Sequence, residues 1–247
     1  MRHAAPPKHS AALTALTAFL IAFAVFGAML FAPLLIDGQT TDPPLEADGL
    51  PSYVWQIGLF FREGDTLTGV VRLTVDTQTM HLHATGYPPS TELGGKSLQR
   101  HMDDSDMTQV FSALCEEAGC ASDGVLGLSV SNTAAFIVYL KERLVLDLPE
   151  PMDILSAGEG TLTAMQVADA LRYTAWSGGE AVSAQLHAQT VAAIFNRYLR
   201  PDRNFETDFK KLTTLCDDPP SISQYAKAKD VLRALAEHND GLICTWT

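Results

Sequence analysis

The sequence predicts an α/β domain, with a mixed central sheet and helices on both of its faces, preceded by one N-terminal transmembrane helix. Short segments with apolar residues at every second position are typical of strands, and longer segments with apolar residues at helical spacing are typical of helices. The two kinds of segment are interleaved along the chain, which favours a sheet covered by helices on both sides. An uncharged apolar run near the N-terminus predicts the membrane-spanning helix.

That run, Ala11–Ile36, holds 26 residues without a charge, enough to cross a hydrocarbon core of roughly 30 Å. Two basic residues precede it and acidic residues follow it, so we expect residues 1–10 to be a cytoplasmic tail and 11–36 a signal anchor. A cleaved signal peptide is the alternative, although its apolar core normally spans only about 7–15 residues. Residues 37–52 are polar and proline-containing, which indicates a linker.

The remaining residues, 53–247, are predicted to form one extracytoplasmic domain attached to the cell membrane. All 29 acidic residues but only 15 of the 17 basic residues follow the apolar run, which gives that part of the chain a formal charge of −14. Such an acidic domain repels phosphate backbones, so we expect no nucleic-acid partner.

The elements of this domain follow from periodicity and capping signals. Asp106 with Gln109, and Ser221 with Gln224, have the spacing of capping boxes at helix starts. Strands are predicted at Tyr53–Phe61, on both sides of the turn Asp76–Thr79, at Gly124–Val130 and at Leu144–Leu148. Helices are predicted after Asp106 as far as Gly119, at Asn132–Leu140, Thr161–Ala175 and Glu180–Leu199, and after Ser221.

Four cysteines, all after the apolar run, are typical of an oxidising compartment. We predict two disulfides, Cys115–Cys120 and Cys216–Cys244. Zinc binding is disfavoured because neither spacing is CxxC and no histidine stands at ligand spacing.

The predicted hairpin ends in YPPST, from Tyr87 to Thr91. It resembles the signature hairpin of the LytR-CpsA-Psr (LCP) family of envelope proteins, whose second strand ends in I-P-R-D-T. Later segments are similar to family motifs in the same order: GKSL, GVLGLSVSNTAAFIVYL, LVLDLPEPMDI, AGEGTLTAMQVADALRYTAW and HAQTVAAIF. The resemblance covers Tyr53–Trp246 and implies an LCP-like domain.

The resemblance also implies a function. LCP proteins are thought to transfer anionic glycopolymers from a polyprenyl-pyrophosphate carrier to peptidoglycan. Aspartates hold Mg²⁺, arginines neutralise the pyrophosphate and an apolar groove takes the lipid. Polyprenyl-phosphate lipid or a cell-wall glycopolymer is therefore the implied partner, and Mg²⁺ is the implied cofactor if the protein is active.

Most of the arginines that this chemistry needs are replaced. Pro89 stands for the hairpin arginine, Ala175 and Ser177 for the pair in Y-x-R-x-R, and His187 for the arginine of R-Q-Q. The planar guanidinium group of arginine is the side chain best able to bind pyrophosphate, because it donates two parallel hydrogen bonds. The loss of these arginines therefore predicts lost or reduced catalysis.

A residual set remains. We predict Arg62, Arg172 and His187 as remaining catalytic residues, with Asp65 or Asp76 as the metal ligand; a gapless register puts Thr68 in the aspartate's place. Trp55 and Trp176 are lipid-groove candidates, with plain core positions as the alternative. Two functions stay open: a non-catalytic envelope protein that binds a polyprenyl lipid or partner, which we favour, and a divergent Mg²⁺-dependent phosphotransferase.

Overall fold

The computed structural model describes residues 53–153, 155–219, 221–237 and 242–247. The predicted cytoplasmic tail, signal anchor and linker, residues 1–52, lie outside this part of the chain. Within the described ranges, every helix is too short or too polar to cross a membrane.

Strands and helices follow one another in groups along the described chain. The strands are β1 (Val54–Glu63), β2 (Thr66–Asp76), β3 (His81–Tyr87), β4 (Glu92–Leu93), β5 (Lys96–Ser97), β6 (Gly124–Ser129), β7 (Leu144–Leu148), β8 (Gly158–Leu162) and β9 (Ile243–Trp246). The helices are α1 (Leu98–Asp104), α2 (Met107–Glu117), α3 (Val130–Leu140), α4 (Ala164–Arg172), α5 (Glu180–Tyr198), α6 (Phe205–Leu215) and α7 (Ile222–Glu237).

The central sheet has five strands in the order β6-β1-β2-β3-β9. Strands β1, β2 and β3 pair antiparallel, and the two outer strands pair parallel to their neighbours, so the sheet is mixed as predicted. The predicted hairpin is confirmed, with β2 and β3 in register from Val70–Tyr87 to Asp76–His81.

Helices cover both faces of this sheet because each strand alternates its side chains between the two faces. Along β1, Ile57, Leu59 and Phe61 join the larger core, against α3 to α7. Phe60 joins a smaller core on the other face, together with Val110 and other residues of α1 and α2. The predicted arrangement of layers is therefore confirmed.

Both predicted capping signals act at helix starts, and Ser221 and Gln224 bond reciprocally ahead of α7. The Asp106 carboxylate accepts a hydrogen bond from the backbone N–H of Gln109 at 2.8 Å and opens α2. Thr163 and Gln166 form a reciprocal capping box, so α4 begins at Ala164, three residues later than the periodicity predicts. The three residues before Ala164 belong instead to β8 and its end, a strand that sequence analysis missed.

Neither predicted disulfide is present in the structure, in which all four cysteines are free thiols. Cys216 ends α6, and the backbone N–H of the next residue, Asp217, bonds to Gly127 in β6, whereas Cys244 lies in β9. These strands are the two edges of the sheet, four spacings of roughly 4.8 Å apart, well beyond the limit of about 7 Å between bridged Cα atoms.

Cys115 and Cys120 lie close together without a covalent bond. Cys115 faces the smaller core from α2, and the Cys120 side chain is within hydrogen-bonding reach of its thiol. Burial is the larger cause, and that hydrogen bond the second, of a rise in the pKa of Cys115 to about 12. This thiol is therefore protonated at neutral pH.

Candidate functional site

A cleft of about 540 Å³ lies where the β1–β2 turn, the segment after β3, the end of α4 and the start of α5 meet. Its volume falls within the range of small-molecule sites. Its surface is mainly apolar, with charged groups at a few points. The lining residues are Glu63, Thr66, Leu67, Thr68, Pro89, Leu171, Arg172, Tyr173, Thr174, Glu180 and Ser183.

Arg172 is the one arginine among the described residues that line the cleft, and the protein already engages it. Arg172, the last residue of α4, donates from Nε to the Glu63 carboxylate at 3.0 Å. It also donates from its terminal NH2 to the Ser131 hydroxyl at 2.7 Å. A guanidinium group that already makes two hydrogen bonds within the protein has fewer N–H donors left for a phosphate.

The second acidic residue of the cleft is Glu180, in the first turn of α5. Its carboxylate accepts a hydrogen bond from the backbone N–H of Ser90 at 3.3 Å, and it forms no ion pair with any described residue. An acidic side chain here interacts favourably with the positive end of the helix dipole. It also places a negative charge at the cleft.

Behind the wall of the cleft lies a buried histidine. The ring of His187 is inaccessible to solvent, packs 4.6 Å from the ring of Phe61, and sits against Gly69, where a Cβ would be only 3.2 Å from Nδ1. Burial lowers the pKa of His187 to about 4, so the ring is neutral at neutral pH.

The hydrogen bonds of this ring follow from its neutral state. The Ser183 carbonyl, 2.7 Å from Nδ1, can only accept, so Nδ1 carries the proton. Nε2 is then the acceptor, and the Thr68 hydroxyl, 3.4 Å away, donates to it. Thr68 and His187 thus form a neutral pair at the position where the family resemblance implies an aspartate and an arginine.

No family model and no curated protein matches this sequence. Solved structures do match. A protein from Eubacterium siraeum, named as a transcription regulator, aligns with a TM-score of 0.67 at 14% identity, over 85% of each chain. A LytR-Csp2A-Psr enzyme from Actinomyces oris aligns with a TM-score of 0.59 at 13% identity, over 78% of this chain and 79% of that one. The chain has the LCP fold. TagT bound to LI-WTA also aligns, with a TM-score of 0.59 at 10% identity, over 78% of this chain and 76% of that one.

On this LCP fold, the predicted catalytic residues do not meet at one point. Arg172 lines the cleft and His187 lies behind it, but Arg62 is not among the lining residues. Arg62 directly precedes Glu63 in β1, so the two side chains point to opposite faces. Arg62 instead forms an ion pair with Asp218.

The predicted metal ligands are far apart. Asp65 occupies the exposed β1–β2 turn near the cleft, whereas Asp76 ends β2, roughly 33 Å further along an extended strand. Asp76 accepts from the backbone N–H groups of Gln78 and Thr79 and so stabilises the hairpin turn. The described residues contain no group of three His, Cys, Asp or Glu side chains that would hold a metal. Asp65 and Asp76 therefore cannot hold one Mg²⁺ ion together.

The two tryptophans that we predicted as lipid contacts, Trp55 and Trp176, lie in the core. Trp55 is 2% exposed and Trp176 is 4% exposed, and neither is among the residues that line the cleft. Trp176 packs edge-on against Tyr173 at 4.7 Å between ring centroids, so it supports the cleft wall through that side chain. Its role as a lipid contact stays a prediction.

The replaced arginine positions differ in their relation to the cleft. Pro89 lines it, so the loss of the hairpin arginine directly removes charge there. Ala175 is exposed and does not line it, and Ser177 donates its backbone N–H to the Glu150 carboxylate. Glu63 and Glu180 could not be recognised from the sequence, because a single glutamate next to a turn carries no signal of its own without the fold.

Proposed function

We propose that this protein is a membrane-anchored, extracytoplasmic LCP-like protein of cell-envelope biogenesis. In this proposal its cleft binds a polyprenyl lipid, or the glycopolymer attached to it, and catalysis is lost or strongly reduced. The shared fold supports the family relation, and TagT, which has this fold, is bound to LI-WTA. The apolar run Ala11–Ile36 supports the membrane anchor.

One observation carries the proposal: the cleft has a large volume and an apolar surface, while the only arginine among its described lining residues is bound to Glu63. Binding an apolar chain needs the first two features. Cleaving a pyrophosphate needs several cationic donors aimed at the phosphates. Pro89 in the wall and Arg172 in an internal ion pair do not supply them.

The experiment separates binding from turnover. The full chain in nonionic detergent is incubated with polyprenyl pyrophosphate and Mg²⁺, and both ligand binding and phosphate release are measured. We expect binding without release. Phosphate release that is abolished by Asp65→Ala or Arg62→Ala would establish the alternative, an active Mg²⁺-dependent glycopolymer–peptidoglycan phosphotransferase.

Two neighbouring residues provide a matched pair of variants that locates the binding site. Thr174 and Ala175 are both exposed, but only Thr174 lines the cleft. Thr174→Trp fills part of the cleft and is expected to weaken lipid binding at least tenfold. Ala175→Trp adds a tryptophan at the next residue along the chain, outside the cleft, and is expected to leave binding unchanged.

A further inference from the structure

Two side chains of the cleft, Glu180 and Thr68, are held by hydrogen bonds that leave them only acceptors to offer a ligand. The Glu180 carboxylate accepts one hydrogen bond from Ser90 and has no cationic partner among the described residues. The Thr68 hydroxyl donates its single proton to His187, which leaves only its lone pairs for a ligand. Arg172, the one strong donor group in the wall, is held by Glu63 and Ser131.

The formal charge of the lining residues has the same consequence. Glu63 and Glu180 contribute two negative charges and Arg172 one positive charge, so the wall is net negative. A phosphate or pyrophosphate that enters is repelled by Glu180, and the positive charge of Arg172 is already offset by Glu63. A hydroxyl suffers no such repulsion and can donate to either free acceptor.

We propose that the cleft selects an apolar chain ending in an uncharged hydroxyl, the polyprenol class, over the same chain ending in phosphate or diphosphate. The proposal rests on the lipid-binding function proposed above and names the form of the lipid. The ligand would lie along the apolar wall of Leu67, Leu171 and Tyr173 and donate from its hydroxyl to Glu180 or Thr68. Its recognition would need no metal and no bond cleavage.

Three matched probes test this selectivity: geranylgeraniol, geranylgeranyl phosphate and geranylgeranyl diphosphate. Their binding to the full chain is measured by calorimetry in nonionic detergent at low and at high ionic strength. We expect the alcohol to bind at least about tenfold more tightly than the diphosphate at low salt. The difference should shrink as salt screens the repulsion.

Two variants trace the selectivity to its cause. Glu63→Gln releases Arg172 and Glu180→Gln removes the unpaired carboxylate, so each should strengthen diphosphate binding about tenfold. Glu63 and Glu180 lie at the surface of the cleft rather than in the core, so both variants are expected to fold. Glu159→Gln makes the same charge change at an exposed residue outside the cleft and should leave all three affinities unchanged.

The outcomes separate the two proposals. If the diphosphate binds as tightly as the alcohol or more tightly, the selectivity is overturned while lipid binding stands. If none of the three probes binds, the lipid-binding function is overturned together with it. If the alcohol is preferred but the three variants behave alike, the preference does not arise from the cleft carboxylates and the inference fails.

Discussion

The Thr68 hydroxyl lies 3.4 Å from Nε2 of His187, and this hydrogen bond joins the wall of the cleft to a histidine that solvent does not reach. The pair links β2 to α5 without adding charge to the cleft. Because the ring accepts at Nε2 and donates at Nδ1, protonation would reverse the direction of its hydrogen bond with Thr68 and place a positive charge in a buried site. The stability of the fold should therefore depend on pH through this residue.

His187 should make the protein less stable in mild acid. Burial lowers its pKa from 6.5 to about 4, so the unfolded chain binds a proton in a pH range where the folded chain does not. The free energy of unfolding is therefore expected to fall by about 3 kcal/mol as pH decreases from about 6.5 to 4. Urea titrations across this range, compared with His187→Gln, measure the effect. If the free energy of unfolding falls equally with pH in the native protein and in His187→Gln, the prediction is contradicted.

Arg203 should contribute more to the free energy of unfolding than the exposed arginines do. Its Nε donates at 2.7 Å to Asp208, which is 4% exposed and also accepts from the Tyr139 hydroxyl. Arg203→Met leaves that buried carboxylate without its cation and is expected to cost about 3 kcal/mol. Urea unfolding measures the cost.

Arg200→Met is the control for this prediction. Arg200 forms ion pairs with Glu142 and Asp202, but its side chain is 39% exposed. We expect a loss below about 1 kcal/mol. If Arg203→Met and Arg200→Met lose the same free energy of unfolding, then the buried Arg203–Asp208 pair stabilises the fold no more than the exposed pairs of Arg200 do. Adding Asp208→Asn to Arg203→Met should recover part of the stability, because it removes the unpaired charge.

The central elements could be predicted because local signals and burial agree there. Alternating apolar residues predict β1 and the hairpin, and Asp106 predicts the start of α2. Strand β9 could not be predicted in this way, because its four residues are too few to show an alternating pattern. Only its pairing with β3 makes it a strand. The ion pair between Glu63 and Arg172 joins residues 109 positions apart, so only the folded chain brings them together.

The same limit applies to the predicted pairing of Cys216 with Cys244, which only the folded chain shows to be far apart, and it gives a prediction. Cys216 and Cys244 lie at opposite edges of the sheet, so a reductant should not change the free energy of unfolding. A disulfide across that segment would contribute about 2–5 kcal/mol. Urea titrations with and without dithiothreitol, and alkylation of the unfolded protein without reductant, test this. Four alkylated cysteines are expected; fewer would show that a bridge forms.

Gly86 should be among the residues least tolerant of substitution in the described sheet, because α5 crosses β3 at this point. A Cβ at residue 86 would lie 2.1 Å from the backbone oxygen of Ala184, and backbone atoms cannot rotate out of the way. Gly86→Ala therefore has to push α5 away from the sheet, at a cost of about 3 kcal/mol in the free energy of unfolding. Since Glu180 and Ser183 on the first turn of α5 line the cleft, ligand binding should weaken as well.

Gly160→Ala is the matched control for this prediction. In β8, the nearest atom to a new Cβ is 4.0 Å away, so we expect a change below about 1 kcal/mol in the free energy of unfolding. If the two variants unfold at the same urea concentration, then α5 does not depend on the missing side chain at residue 86 for its position on the sheet.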